Sequence, residues 1–192
     1  MNIEYREAIL EDALGIAYVS AHSWQESYSG IMPDDYLQRR VDIINQKEES
    51  TKNFLKNLNG KYYVALDNNK VIGIMCALIQ EDEKYKEYGE LGAIYVLKAY
   101  QGFGIGKELF RMGFNALKEM SYNKVKLECL CGNKTIDFYK KYLGEVVDTF
   151  DYTINNVGSF KADIVLFNDI DASLELLENR KSASLWKSYL ED

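Results

Sequence analysis

The sequence predicts one α/β domain, and three observations lead there. Seven short runs with strand character are interleaved with runs of helical periodicity. A strand, a glycine-rich turn and a helix follow one another directly within Gly89–Leu117. The chain has 192 residues with 47% hydrophobic content, enough for a single domain with a real core and hardly enough for two.

Asn2–Arg6 alternates in strand fashion, and Glu11-Asp12 then open a helix through Leu14, Ile16, Ala17, Val19 and Ser20. His22–Pro33 reads as an aromatic, polar turn, and Pro33, the only proline, starts a second helix with Tyr36, Leu37 and Val41. Gln46–Asn59 is polar with Phe54, Leu55 and Leu58 on one side, which suits a surface helix. Lys61–Leu66 and Val71–Ile79 flank Asp67-Asn68-Asn69-Lys70 and predict a hairpin. Glu81–Tyr88 reads as a charged connection. Leu91, Ala93 and Tyr95 then alternate with Glu90, Gly92, Ile94 and Val96, predicting a strand with two differently occupied faces. Further strands are expected at Lys124–Leu130, Glu145–Thr153 and Phe160–Phe167, with a helix at Asn133–Tyr142 and a turn at Asn155-Asn156-Val157-Gly158. Ser173–Leu190 has the pattern of an appended helix. It either packs back on the domain or presents Trp186 and Tyr189 to a second subunit in a homodimer. The expected division is a domain over 1–170 and the appended helix over 171–192.

Gln101-Gly102-Phe103-Gly104-Ile105-Gly106 puts three glycines at alternate positions just where the helix begins. Without Cβ atoms, the unpaired amides of a first helical turn approach a bulky anion closely, and the helix dipole adds partial positive charge. A diphosphate is therefore the natural guest, with Gln101 and Lys107 able to assist. The dinucleotide fingerprint needs a third glycine where Lys107 stands, and a P-loop needs Ser or Thr where Glu108 stands, so both fail. The pattern present, Gln101-x-x-Gly104-x-Gly106 after a strand, resembles motif A of the Gcn5-related N-acetyltransferases (GNAT family). Asn133, Phe138-Tyr139-Lys140-Lys141 and Leu143-Gly144 resemble its motif B, with Ile136 in place of alanine, one residue inserted before the glycine, and Glu145 where phenylalanine is usual. Trp24, Tyr28, Gly30-Ile31, Pro33 and Tyr36-Leu37 are similar to a subgroup in which this region lies over the acceptor site.

The resemblance covers roughly Ile3 to Phe167. It implies a mixed central sheet of about seven strands flanked by helices, and an acetyltransferase using acetyl-CoA. It further implies that Gln101, Gly102, Phe103, Gly104, Ile105, Gly106 and Lys107 hold the pyrophosphate. The backbone of Ile94-Tyr95-Val96 would pair with pantetheine as an added strand, and Asn133 would bind the same arm. Tyr139 would act as general acid towards the leaving thiolate. Glu90 is the candidate base, by its likeness to the catalytic glutamate of histone-acetylating members and by lying four residues before Ile94, hence on the same face of a regular strand. Trp24, Tyr28 and His22 are candidates for the acceptor pocket, since aromatic faces suit an alkylammonium.

Lys plus Arg number 23 and Asp plus Glu 30, a formal charge of −7 that disfavours a nucleic-acid partner and mildly favours a small cationic amine such as a polyamine. Cys76, Cys129 and Cys131 form no disulfide framework, and one histidine, His22, with a Cys-x-Cys builds no convincing metal site, so no metal is expected. Neither a secretory leader nor a membrane span is recognisable, and a cytoplasmic location is expected. A covalent route through Cys131 lacks a histidine base. The rival readings are a non-catalytic acyl-CoA-binding sensor and a nucleotide-phosphate-binding protein.

Overall fold

A computed structural model describes residues 1–178. The strands are β1 (Ile3–Glu7), β2 (Gly60–Asp67), β3 (Lys70–Leu78), β4 (Gly89–Val96), β5 (Val125–Leu130), β6 (Glu145–Ile154) and β7 (Gly158–Phe167). They form one seven-stranded mixed sheet in the order β1-β2-β3-β4-β5-β7-β6. The helices are α1 (Ala13–Tyr28), α2 (Asp34–Asp42), α3 (Ile44–Lys56), α4 (Ile105–Glu119) and α5 (Ile136–Lys141), with a further helix, α6, over 170–178.

The β2–β3 hairpin is closed by Asn68 and Asn69, both at positive φ (49° and 63°), the conformation that matches the twist of a two-residue hairpin and that Asn tolerates. α4 covers one sheet face, where Gly113 allows Leu91 and Met75 to approach the helix axis. On that side Phe110, Phe114 and Phe167 are fully buried and meet ring to ring, and Phe138 of α5 and Tyr142 just past its end join them. Removing such a ring costs about 3–5 kcal/mol. α1 lies on the opposite face, with Gly15 against Val71. Ile170, Leu174 and Leu177 of α6 join the main core, and Ser173 Oγ donates to the carbonyl of Tyr142 at 2.9 Å. The rest of the expected Ser173–Leu190 helix, including Trp186 and Tyr189, lies outside the described residues.

Several expectations need correction. α1 does not stop near Ser20 but runs through His22 and Trp24 to Tyr28. Aromatic side chains four residues apart pack along it, Tyr18 tilted against His22 at 4.1 Å between ring centroids and Trp24 edge-on to Tyr28 at 5.0 Å, and the chain turns away only at Gly30 (φ 78°). α5 begins at Ile136 rather than Asn133, because Asn133 Oδ1 accepts the Thr135 amide at 2.9 Å and holds the preceding turn. The charged connection buries Tyr85 and Tyr88 against Ile164 and Leu166. Finally, β4 is not regularly two-faced. Ile94 pairs with Met75 and Ala93 with Cys76, but Leu91 pairs with Ala77, leaving Gly92 as an extra residue. That bulge reverses the alternation, so Leu91, Ile94 and Val96 face α4 while Glu90, Ala93 and Tyr95 face α1. Glu90 is therefore on the opposite face from Ile94.

Candidate active site

Among the described strands, β4 and β5 are the only parallel neighbours, and they stay together for just three residue pairs, Gly89–Val125, Glu90–Lys126 and Leu91–Leu127. Beyond the bulge at Gly92 they part, β4 staying with β3 and β5 turning to β7. The splay opens a cavity of about 620 Å³ that runs through the sheet, reaching α4 and α5 on one face and α1 on the other.

At one end lies the glycine turn. Gly102 and Gly104 have φ of 86° and 83°, and a Cβ at either would meet nothing within 4 Å, so the backbone there is open to a ligand. Gly104 caps α4, and the first-turn amides of Ile105 and Gly106 have no acceptor within the helix. Gln101 turns its side-chain amide back to donate to the Val96 carbonyl at 2.9 Å, tying the loop to the end of β4. Gln101, Gly102, Gly104, Gly106 and Lys107 line the cavity; Phe103 does not and is 67% exposed, and Ile105 puts its side chain into the core. Lys134 and Lys141 add positive charge at the α5 wall. The set fits a long anionic ligand with a diphosphate.

In the middle, Ile94, Tyr95 and Val96 form one wall and Leu127, Glu128 and Cys129 the other. Asn133 lines the same wall as α5. Tyr139 also faces the cavity at 6% exposure. Burial pushes its phenol above the ordinary value, and Cys129 and Tyr95 add to the rise. The hydroxyl therefore stays protonated across the physiological range. Cys131, by contrast, points at Asp163 (3.2 Å) outside this lining, and burial together with that carboxylate raises its thiol.

At the α1 end, Tyr95 Oη accepts from Trp24 Nε1 at 3.0 Å, and Tyr28 packs edge-on against the Trp24 ring. Tyr28 lines the cavity; Trp24 acts one step behind Tyr95, and His22 stacks on Tyr18 away from it. Glu90 is also outside the lining. It sits 4.0 Å from Lys126 Nζ, and Lys126, only 4% exposed, pairs with Glu128 at 2.7 Å. Glu128 is the carboxylate at the splay itself, a residue that sequence reasoning missed because it reads as an ordinary strand residue until β5 is seen to leave β4. Ser23 was missed as well. It is 2% exposed, lines the cavity, and its Oγ has no partner among the described residues. No group of three or more His, Cys, Asp or Glu among the described residues is placed to hold a metal ion, and no described helix is long and apolar enough to cross a membrane.

Known proteins resemble this chain in sequence and in fold. The family model described as "Acetyltransferase (GNAT) family" matches residues 21–144. An uncharacterised N-acetyltransferase of Bacillus subtilis (strain 168), YuaI, is 32% identical over 157 residues, 81% of this chain and 87% of its own length. Among solved structures, PaiA N-acetyltransferase from Thermoplasma acidophilum in complex with coenzyme A superposes with a TM-score of 0.66 at 22% identity, covering 85% of this chain and 98% of that one. YncA from Salmonella typhimurium with its cofactor acetyl-CoA gives 0.65 at 16%, covering 87% and 94%.

Proposed function

The chain belongs to the GNAT acetyltransferase family, and from that premise we propose that it moves the acetyl group of acetyl-CoA to a primary amine by direct attack within a ternary complex. The observation that carries the reading is the splay of β4 from β5 after Leu91 and Leu127, with the glycine turn at one end and Tyr139 beside it. The glycine turn takes the pyrophosphate, the pantetheine arm runs along the free backbone edge of Ile94-Tyr95-Val96, and Asn133 contacts it from the α5 side.

An alkyl amine has a pKa of roughly 10 and must lose a proton before it attacks. The sequence points to Glu90, but the bulge places Glu90 behind Lys126, and Glu128 is the carboxylate in the cavity. In the proposed mechanism Glu128 takes the proton, with Lys126 and Glu90 holding it in place. The amine nitrogen bonds to the thioester carbon, the C–S bond breaks, Tyr139 hands its proton to the departing thiolate, and the second N–H proton, shed as the amide forms, returns the phenol to its neutral form. Ser23 Oγ hydrogen-bonds the reacting centre from the α1 side.

Calorimetric titration with acetyl-CoA, with ATP and NAD as controls, followed by thiol release over an amine panel, tests the reading. Micromolar acetyl-CoA binding with thiol release in the presence of an amine supports it. Binding without thiol release makes the protein an acyl-CoA sensor, and preference for ATP overturns the donor assignment.

A further inference from the structure

The formal charge of −7 is not spread evenly around the helices on the α1 face. A second cavity, of about 560 Å³, lies between α1, α2, α3 and the β6–β7 turn. Its described lining holds three cations, Arg39, Arg40 and Lys47, and no acidic residue. Arg39 reaches out to Asp35 at 3.4 Å, but neither Arg40 nor Lys47 pairs with a described carboxylate. Arg40 is half-buried. Its guanidinium lies 4.0 Å from the centre of the Trp24 ring, its NH1 donates to Tyr36 Oη at 3.3 Å, and its Nε is buried with no partner. The terminal nitrogens have only hydroxyl partners, Tyr36 at 3.3 Å and Ser20 Oγ at 3.5 Å, long contacts that a ligand's oxyanion would replace with charge-assisted ones.

The position ties this cation to the transfer site. Arg40 stacks on Trp24, and Trp24 hydrogen-bonds Tyr95 in the wall of the first cavity. On β6, half-buried Tyr152 feels both ends of the arrangement: burial raises its phenol, Tyr36 and Glu128 add to the rise, and Arg40 opposes it. Trp24, Tyr36 and Tyr152 belong to one aromatic cluster, with the Arg40 guanidinium 4.0 Å from the Trp24 ring and 5.9 Å from the Tyr36 ring.

We propose that the second cavity receives an oxyanion at the far end of the acceptor, so that the acetylated molecule is an amine carrying a carboxylate or phosphate, recognised by Arg40. This rests on the N-acetyltransferase reading above. It runs against the preference for polyamines that the net charge suggests, because a cationic far end would meet Arg40 and Lys47 rather than carboxylates.

The test compares amines that differ only in the far group. With saturating acetyl-CoA, thiol release is measured for ω-amino carboxylates of three to six carbons, the matching aminoalkyl phosphates, alkylamines and diamines. At least one anionic series is expected to exceed its neutral and cationic counterparts by about 10-fold or more in kcat/KM, the worth of a charge-assisted contact. Arg40→Met, which keeps the stem over Trp24, removes that preference without changing acetyl-CoA affinity, and Arg40→Lys restores part of it. Lys47→Ala, at the exposed rim, lowers the preference without a risk to folding. Equal turnover of anionic, neutral and cationic amines overturns the proposal while leaving the acetyltransferase reading intact. If no amine releases thiol, titration of Trp24 fluorescence with glutarate and inorganic phosphate in Trp186→Phe decides separately. A saturable response lost in Arg40→Met upholds the anion site, and no response overturns it.

Discussion

The side-chain amide of Gln101 donates to the main-chain carbonyl of Val96 at 2.9 Å, so the last residue of β4 and the glycine turn are held as one piece. The contact fixes the angle between the strand edge and the start of α4, two surfaces that a single ligand must touch together. Gln101→Ala removes a bond of about 1 kcal/mol and frees the turn. Acetyl-CoA affinity by calorimetry is expected to fall roughly 5-fold to 10-fold, while the melting temperature changes little.

Gly104 carries the left-handed cap of α4 in open space, so two substitutions separate strain from charge. Gly104→Ala costs about 1 kcal/mol through its backbone conformation alone. Gly104→Asp adds a negative group where the pyrophosphate approaches and is expected to abolish detectable acetyl-CoA binding. Equal affinities for the two variants would remove the anion from this helix start.

Tyr139→Phe keeps the ring packed beside Phe110 and deletes only the hydroxyl. Turnover is expected to drop by about 10²-fold or more, as for loss of a general acid, with the acetyl-CoA dissociation constant within a few-fold of the parent. Single-turnover measurements distinguish this from a binding defect. Glu128→Gln is expected to abolish the acidic limb of the pH–rate profile, whereas Glu90→Gln moves it less.

Burial raises the phenols of Tyr28, Tyr62 and Tyr139 above 10, and the thiols of Cys76 and Cys129 to about 12. For each group the unfolded chain releases its proton first as pH rises. The stabilisation is therefore complete below the unfolded values and is lost above them, from near pH 9 for the thiols and near pH 10 for the phenols. Each group that is ionised only in the unfolded chain removes about 1.4 kcal/mol per pH unit. Thermal melts are expected to fall steeply above pH 10, and Tyr62→Phe to flatten that fall. A flat profile would show that these hydroxyls reach solvent.

The parts of this architecture that sequence reveals are those set by neighbouring residues. Asn68-Asn69 and the glycine run carry their backbone conformations with them, so the hairpin and the start of α4 are legible. The side on which Glu90 falls is not, because the bulge at Gly92 exists only in register with Cys76 and Ala77, residues about fifteen positions away. Glu128 and Ser23 gain their meaning the same way, from a splay between strands separated by the whole of α4. Arg40 reads as one more charge on a polar helix until Trp24 is found beneath it.

The sheet consists of two antiparallel leaves joined along a seam of three residue pairs, and beyond the seam the facing edges of β4 and β5 are unpaired with each other. A donor whose extended arm lies there becomes a splint across the two leaves. Its binding energy then counts as fold stability, about 2.7 kcal/mol at a concentration 100-fold above its dissociation constant. On the proposed binding mode, the enzyme charged with acetyl-CoA would be a stiffer object than the free chain, and the acceptor would meet a surface that the donor has finished building.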